Sequence, residues 1–210
     1  MNSKNDVWLK TSGVSGILAP IIAFTLISLA IVSCPQFSWT EDALSDLGVQ
    51  EGVTAILFNS GLMIAGILAL IFAMGLFMFL SENALGRISA LILALAALAL
   101  IAVGIFPESV KPTHYYVSVA FFVLLLLSML FMGAAFLRVS RMKVGLFAFL
   151  TVAVATVVWI IQFLRPFVSG VAIPEIISAL SASMWSIALG FRMLKHASHP
   201  NKRHVYLFIL

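Results

Sequence analysis

Val53-Thr-Ala-Ile-Leu-Phe-Asn-Ser-Gly-Leu-Met-Ile-Ala-Gly-Ile-Leu-Ala-Leu-Ile-Phe-Ala-Met-Gly-Leu-Phe-Met-Phe-Leu80 contains no charged residue. A helix of roughly 20 apolar residues crosses the hydrocarbon of a bilayer. In lipid the backbone must satisfy its own hydrogen bonds, so a single run of this kind is a helix. Working outward from it, five more runs have the same character: 12–33, 87–106, 114–137, 144–163 and 174–194. Of all 210 residues, 62% are hydrophobic and 10% charged, where a soluble domain carries about 25% charged. The chain therefore reads as all-α, a polytopic membrane bundle of six transmembrane helices forming one domain over residues 1–210.

Orientation follows from the basic residues. Lys4, Lys10, Arg87, Arg138, Arg141, Lys143, Arg192, Lys195, Lys202 and Arg203 fall on one side of the alternating loops, and Lys111 and Arg165 on the other. The positive-inside rule then places both termini in the cytoplasm of a multi-pass cell-membrane protein. The net charge of +4 follows that asymmetry and does not indicate a nucleic-acid partner. The first span ends at Ile31-Val32-Ser33-Cys34, which also fits a lipoprotein cleavage box. Its apolar run exceeds the about 7–15 residues of a signal core, so the span reads as retained. Pro20 inside it predicts a kink. A single cysteine, Cys34, leaves no disulfide partner. The tail 195–210 is basic up to His204 and suits anionic headgroups; His196, His199 and His204 read as a solvated tail rather than a metal set. Residues 205–210 are apolar and too short to span.

The longest polar interruption is Ser38-Trp-Thr-Glu-Asp-Ala-Leu-Ser-Asp-Leu-Gly48. Ser38 and Glu41 have capping-box spacing and Gly48 is placed to end a helix. The expectation is a short extracytoplasmic helix after the first span, with Asp42, Ser45 and Asp46 on one face and Trp39, Ala43 and Leu47 on the other. Other polar residues gather at the same membrane depth. Asn59 lies about two turns into the second span, and Glu108 follows the proline that ends the third. Thr113 is a plausible N-cap for the fourth, which aligns His114 with Ser118. Gln162 and Arg165 close the fifth span, and Glu175 opens the sixth just after Pro174.

Ionisable groups near the membrane interface are costly unless paired, so this convergence is a candidate site. The competing reading is structural: Arg165 with Glu175, or His114 with Glu108, as ion pairs locking helix ends. On the sixth span Glu175, Ala179, Ala182, Ser183, Ser186 and Gly190 form a stripe. Close helix packing explains it, and a polar track leading inward from Glu175, with Trp159 and Trp185 along a cavity, is the functional alternative. Tyr115 and Tyr116 belong to an interfacial belt.

The motifs Asp42-Ala-Leu-Ser-Asp-Leu-Gly48, Asn59, and Gly104-Ile-Phe-Pro-Glu108 with His114 resemble the DUF998 family of bacterial and archaeal membrane proteins. The resemblance covers about residues 12–195. It implies an architecture and marks Ser45, Asp46, Gly48, Asn59, Pro107, Glu108 and His114 as motif positions; it implies no reaction.

Two functions remain open. In the first, Asp42, Ser45, Asp46, Asn59, Glu108, His114, Ser118, Gln162, Arg165 and Glu175 line an extracytoplasmic pocket for a lipid, ion or small molecule, or the chain is an accessory subunit with a membrane-protein partner and membrane lipids around it. In the second, the protein is a hydrolase of lipid or headgroup substrates using His114, Asp46 and Glu108, with Ser45 or Ser118 as nucleophile. His114 is the lone outward histidine, which excludes a three-histidine zinc site. Asp46, Glu108 and His114 would suit a harder divalent metal such as Ca²⁺ or Mn²⁺.

Overall fold

The computed structural model describes residues 3–198. Six helices account for most of them: α1 (Ser3–Val32), α2 (Val53–Phe79), α3 (Ala84–Ile105), α4 (Thr113–Arg138), α5 (Met142–Leu164) and α6 (Ala172–Ser198). All six are long and apolar enough to cross a membrane. The chain is an all-α, multi-pass membrane protein. A short 3₁₀ helix, Leu44–Val49, follows α1 and is called the cap helix below. The C-terminal end of α1 and the N-terminal end of α2 flank it, so that end of the bundle is the cap end.

Each helix packs against its neighbours in sequence, and α6 returns to α1, so the bundle closes as a ring. Polar side chains join neighbours at depth, where an unpaired donor would be costly. Between α3 and α4 the exchange is reciprocal: Ser89 donates to the Ser128 carbonyl at 2.8 Å and Ser128 to the Ser89 carbonyl at 2.9 Å. Trp185 of α6 donates its indole N–H to Thr151 of α5 at 2.9 Å, and Trp159 of α5 donates to Ser178 of α6 at 3.0 Å. Asn83 starts α3 by accepting the Gly86 N–H at 3.1 Å while donating to the Ala135 carbonyl of α4 at 3.2 Å. The ring closes by backbone contact. A Cβ on Gly190 would lie 2.6 Å from the Gly13 carbonyl oxygen, and one on Gly13 would lie 2.9 Å from the Gly190 carbonyl oxygen. Close packing therefore explains the Gly190 end of the α6 stripe, where Ser186 also donates to the Gly16 carbonyl.

Several expectations shift. The outer helices are longer than their apolar runs, because polar residues at both ends continue the turns: α1 starts at Ser3 and α6 runs to Ser198. Lys195 and His196 thus sit in the last turn of α6, where basic residues complement the helix dipole. His196 is not in a solvated tail; its ring packs edge-on to Phe79 at 5.2 Å. His199, Lys202, Arg203, His204 and the apolar residues 205–210 lie outside the described residues. Thr113 is the first residue of α4 and not its cap; Pro112 precedes the helix without a side-chain hydrogen bond. Cys34 is a free, buried thiol at the end of α1.

Candidate functional site

The segment before the cap helix is a turn rather than a helix. Asp42 N–H donates to the Ser38 carbonyl at 3.0 Å, and the Asp42 carboxylate accepts the Ser38 N–H at 2.8 Å. The Asp46 carboxylate reaches back to the Ala43 N–H at 2.7 Å, satisfying a donor that the short helix leaves unpaired. The capping pair is therefore Ala43–Asp46, not Ser38–Glu41, and Gly48 lies inside the cap helix rather than after it. Its buried position admits Asn59 of α2, which donates to the Gly48 carbonyl at 2.9 Å.

The α5–α6 connection clamps this unit. Gly170 N–H donates to the Thr40 carbonyl at 2.9 Å, and Val171 and Ala172 N–H donate to the Asp42 carbonyl at 3.1 and 3.0 Å. Gln162 shapes the connection from within, donating to the Val168 and Gly170 carbonyls at 2.8 and 2.9 Å. Gln162 is thus a loop-holding residue, and Arg165 is exposed on the same connection. Glu175 does not pair with Arg165; its carboxylate accepts the Leu44 N–H at 2.7 Å and joins α6 to the cap helix.

Beside the clamp, the structure brings three of the family-motif residues together, Ser45, Asp46 and Glu108. Ser45 donates to Glu108 at 3.4 Å, and the Asp46 and Glu108 carboxyls are within hydrogen-bond reach of each other. Lys111, 72% exposed, lies 3.5 Å from Glu108, a surface pair worth little by itself. Burial pushes the Asp46 carboxyl above its ordinary value against the Ala43 N–H, and Glu108 adds to the rise. Glu108 moves the other way: burial opposes its ionisation, but the hydrogen bond from Asp46, then Lys111 and His114, outweigh it. The two carboxyls are thus driven apart, Asp46 above and Glu108 below its ordinary range.

A pH dependence follows. The folded form retains the Asp46 proton that the unfolded chain has released, so this group favours folding less as pH rises from the ordinary Asp range through its raised value. Glu108 has the opposite sign, in the range at and below ordinary Glu titration. Thermal melts across about pH 4–8 are expected to fall through the Asp46 window in the wild type and to fall less steeply there in Asp46→Asn, which keeps an acceptor for Ala43 N–H. Asp46→Ala loses that acceptor as well and is expected to cost about 1 kcal/mol more than Asp46→Asn.

His114 is buried, 6% exposed, and does not pair with Glu108 by a direct hydrogen bond. Its Nδ1 lies 2.7 Å from the Phe106 carbonyl oxygen, and its Nε2 lies 3.3 Å from the Ser118 hydroxyl. Among the described residues no three His, Cys, Asp or Glu side chains come together to hold a metal ion. Asp46, Glu108 and His114 thus do not form the divalent-metal group that their chemistry suggested, because His114 spends both ring nitrogens elsewhere.

Below the cap lies a cavity of about 190 Å³. Its walls come from α1, α2, α3, α4 and α6, and Leu44 and Ser45 of the cap helix close one end. Small residues on facing helices, Ala65 and Ala69 of α2 and Ala96 and Ala97 of α3, leave the space. The polar side chains lining it are Ser45, Ser118, Ser128, Glu175, Ser183 and Ser186. The Glu175 end of the α6 stripe faces this cavity through Ala179, Ala182 and Ser183, and Trp185 lines it while Trp159 packs against Phe122 and Phe163. Sequence reading singled out the polar rim but not the alanines, since a small residue reads alike whether it meets a neighbour or a void.

A ring of six helices able to span a membrane, five of which wall a cavity closed at one end by a clamped polar cap, defines the class of this protein. The profile of the family described as protein of unknown function (DUF998) matches residues 17–192, and the chain belongs to that family. No curated protein and no solved structure matches the chain.

Proposed function

We propose that this membrane protein binds a small amphipathic molecule, with its apolar part in the cavity and its polar end against Ser45, Ser118 and Glu175. The cavity carries this reading. At about 190 Å³ it is comparable to the about 150 Å³ apolar cavity known to accept benzene, and smaller than the about 300 Å³ of ordinary ligand pockets. It suits one ring or a short stretch of a single chain, and is too small for a diacyl lipid. Among the described residues no Lys, Arg or His side chain lines it, so these give a phosphate or carboxylate head no cationic partner there. The hydroxyls and the Glu175 carboxyl favour a head that donates hydrogen bonds, such as an amine or an alcohol. The basic-residue asymmetry supports a cell-membrane orientation with the cap outside, which would admit the molecule from the extracytoplasmic side. An accessory subunit needs no such space, and the cavity is what favours a small-molecule occupant.

Native mass spectrometry from a mild detergent tests the reading. The wild type is expected to carry an adduct that Ala179→Phe, which fills the cavity, lacks at unchanged melting temperature. Equal adducts on both proteins, or none on either, would overturn it.

A further inference from the structure

We propose that Ser118 and His114 form an acyl-transfer dyad opening onto the cavity, and that the molecule taken up is a single-chain carboxylic ester of a hydroxylated alcohol. This rests on the binding reading above and assigns it a reaction.

The ring geometry carries the inference. A carbonyl oxygen only accepts, so the 2.7 Å contact with Phe106 requires a proton on His114 Nδ1. In the neutral ring Nε2 then holds the lone pair, and the Ser118 hydroxyl 3.3 Å away is its donor. That is a nucleophile hydrogen-bonded to a base, with the base oriented by a third group at its other nitrogen. With the ring neutral, the Phe106 carbonyl sets the tautomer and with it the direction of the Ser118 bond.

Helical packing alone does not explain the contact. Hydroxyls inside membrane helices can donate to a neighbouring helix, as Ser89, Ser128 and Ser186 do, or return their proton to the carbonyl of the preceding turn. Here Thr25, Ser60, Ser178 and Ser183 do so, bonding the carbonyls of Ile21, Ile56, Pro174 and Ala179. For Ser118 the residue one turn back is His114, and the hydroxyl is directed to its ring instead. Ser118 also lines the cavity, whereas His114 is buried behind it, so the nucleophile faces the space and the base does not. The Glu108 carboxylate, two residues beyond Phe106, places negative charge where an imidazolium would form.

The chemistry balances without metal or redox partner. Ser118 Oγ adds to the ester carbonyl carbon as its proton passes to His114 Nε2. The bond to the alcohol oxygen then breaks, and that oxygen takes the proton from Nε2, leaving an ester on Ser118. Water adds to this ester with His114 again as base, releasing the carboxylic acid and restoring the serine. The leaving alcohol's further hydroxyls meet the hydrogen-bonding need of Glu175.

The test uses the full-length protein in detergent and an alkyl fluorophosphonate, read by intact mass and peptide mapping. A single adduct on Ser118 is expected, absent in Ser118→Ala and formed about 100-fold more slowly in His114→Gln, the smaller end of a general-base contribution. Melting curves of both variants confirm that they are folded. An unlabelled Ser118 in a wild type that retains its native adduct would overturn the dyad and leave binding standing. An equal labelling rate in folded His114→Gln would also overturn it. Labelling of Ser118 that persists in Ala179→Phe would locate the reaction outside the cavity and overturn the binding reading instead.

Discussion

Gly170→Ala is expected to release the cap from the bundle. A Cβ at this position would lie 2.2 Å from the Asp42 carbonyl oxygen and 2.6 Å from the Asp42 nitrogen. Both are backbone atoms of a turn already held by the Ser38 and Ala43 contacts, so neither can step aside by a rotamer change. The methyl must push the α5–α6 connection away, which breaks the bonds from Gly170, Val171 and Ala172 to Thr40 and Asp42. Overpacking costs about 1–3 kcal/mol, and each of the three lost hydrogen bonds about 1 kcal/mol more, so a loss of about 4–6 kcal/mol is expected. Hydrogen exchange reads the effect locally. Amides from Ala43 to Val49 should lose protection while those of α2, α3 and α4 keep theirs. Unchanged protection in the cap would show that the clamp does not hold it.

Gly190→Val is expected to break the ring between α1 and α6. The Gly190 Cβ would meet the Gly13 carbonyl at 2.6 Å and Ile17 Cγ1 at 2.9 Å, and the two branches of valine extend the clash. Backbones that approach this closely hold through many small contacts, and moving one helix outward forfeits them together. The Ser186 bond to the Gly16 carbonyl lies one turn away on the same seam and would be lost with them. The expected destabilisation is about 3 kcal/mol, at the upper end for overpacking, seen as a lower midpoint in detergent unfolding. Because α1 and α6 both wall the cavity, the native adduct should disappear as well. A variant with wild-type midpoint and adduct would show that this seam is not what closes the bundle.

The two predictions concern glycines whose importance differs in visibility. Gly190 ends a stripe of small residues at helical spacing, and such a stripe signals close packing in any membrane helix. Gly170 sits in a connection with no pattern around it. Its meaning comes from Asp42, more than a hundred residues earlier in the chain, and only the docked cap brings the two together.

The cap itself was legible in place and misread in form. Polar density between two apolar runs located it, and the family motif marked Ser45, Asp46, Gly48 and Asn59. Which carboxylate caps which N–H was not legible, because Ser38, Asp42 and Asp46 offer several local pairings of similar energy. Docking decides among them: the Asp42 carbonyl is held by α6, so the Ser38–Asp42 turn forms and the cap helix starts later, at Leu44. Gln162 and Arg165 show the same limit. Both fall at the cap end by topology, yet one side chain turns inward to the loop carbonyls and the other outward to solvent.

Hydropathy located six helices and their order, and their ends to within about a turn except at the start of α1, because a bilayer admits few alternatives for an apolar chain. Through the motif order the sequence also determined that Asp46, Glu108 and His114 lie near one another at one end. Packing alone reveals that Ser118 bonds the His114 ring, that Glu175 holds Leu44, and that alanines of α2 and α3 leave a cavity. Those are matters of side-chain direction and of empty space. Hydrophobicity constrains neither, since it acts on how much surface is buried and not on what each buried atom meets.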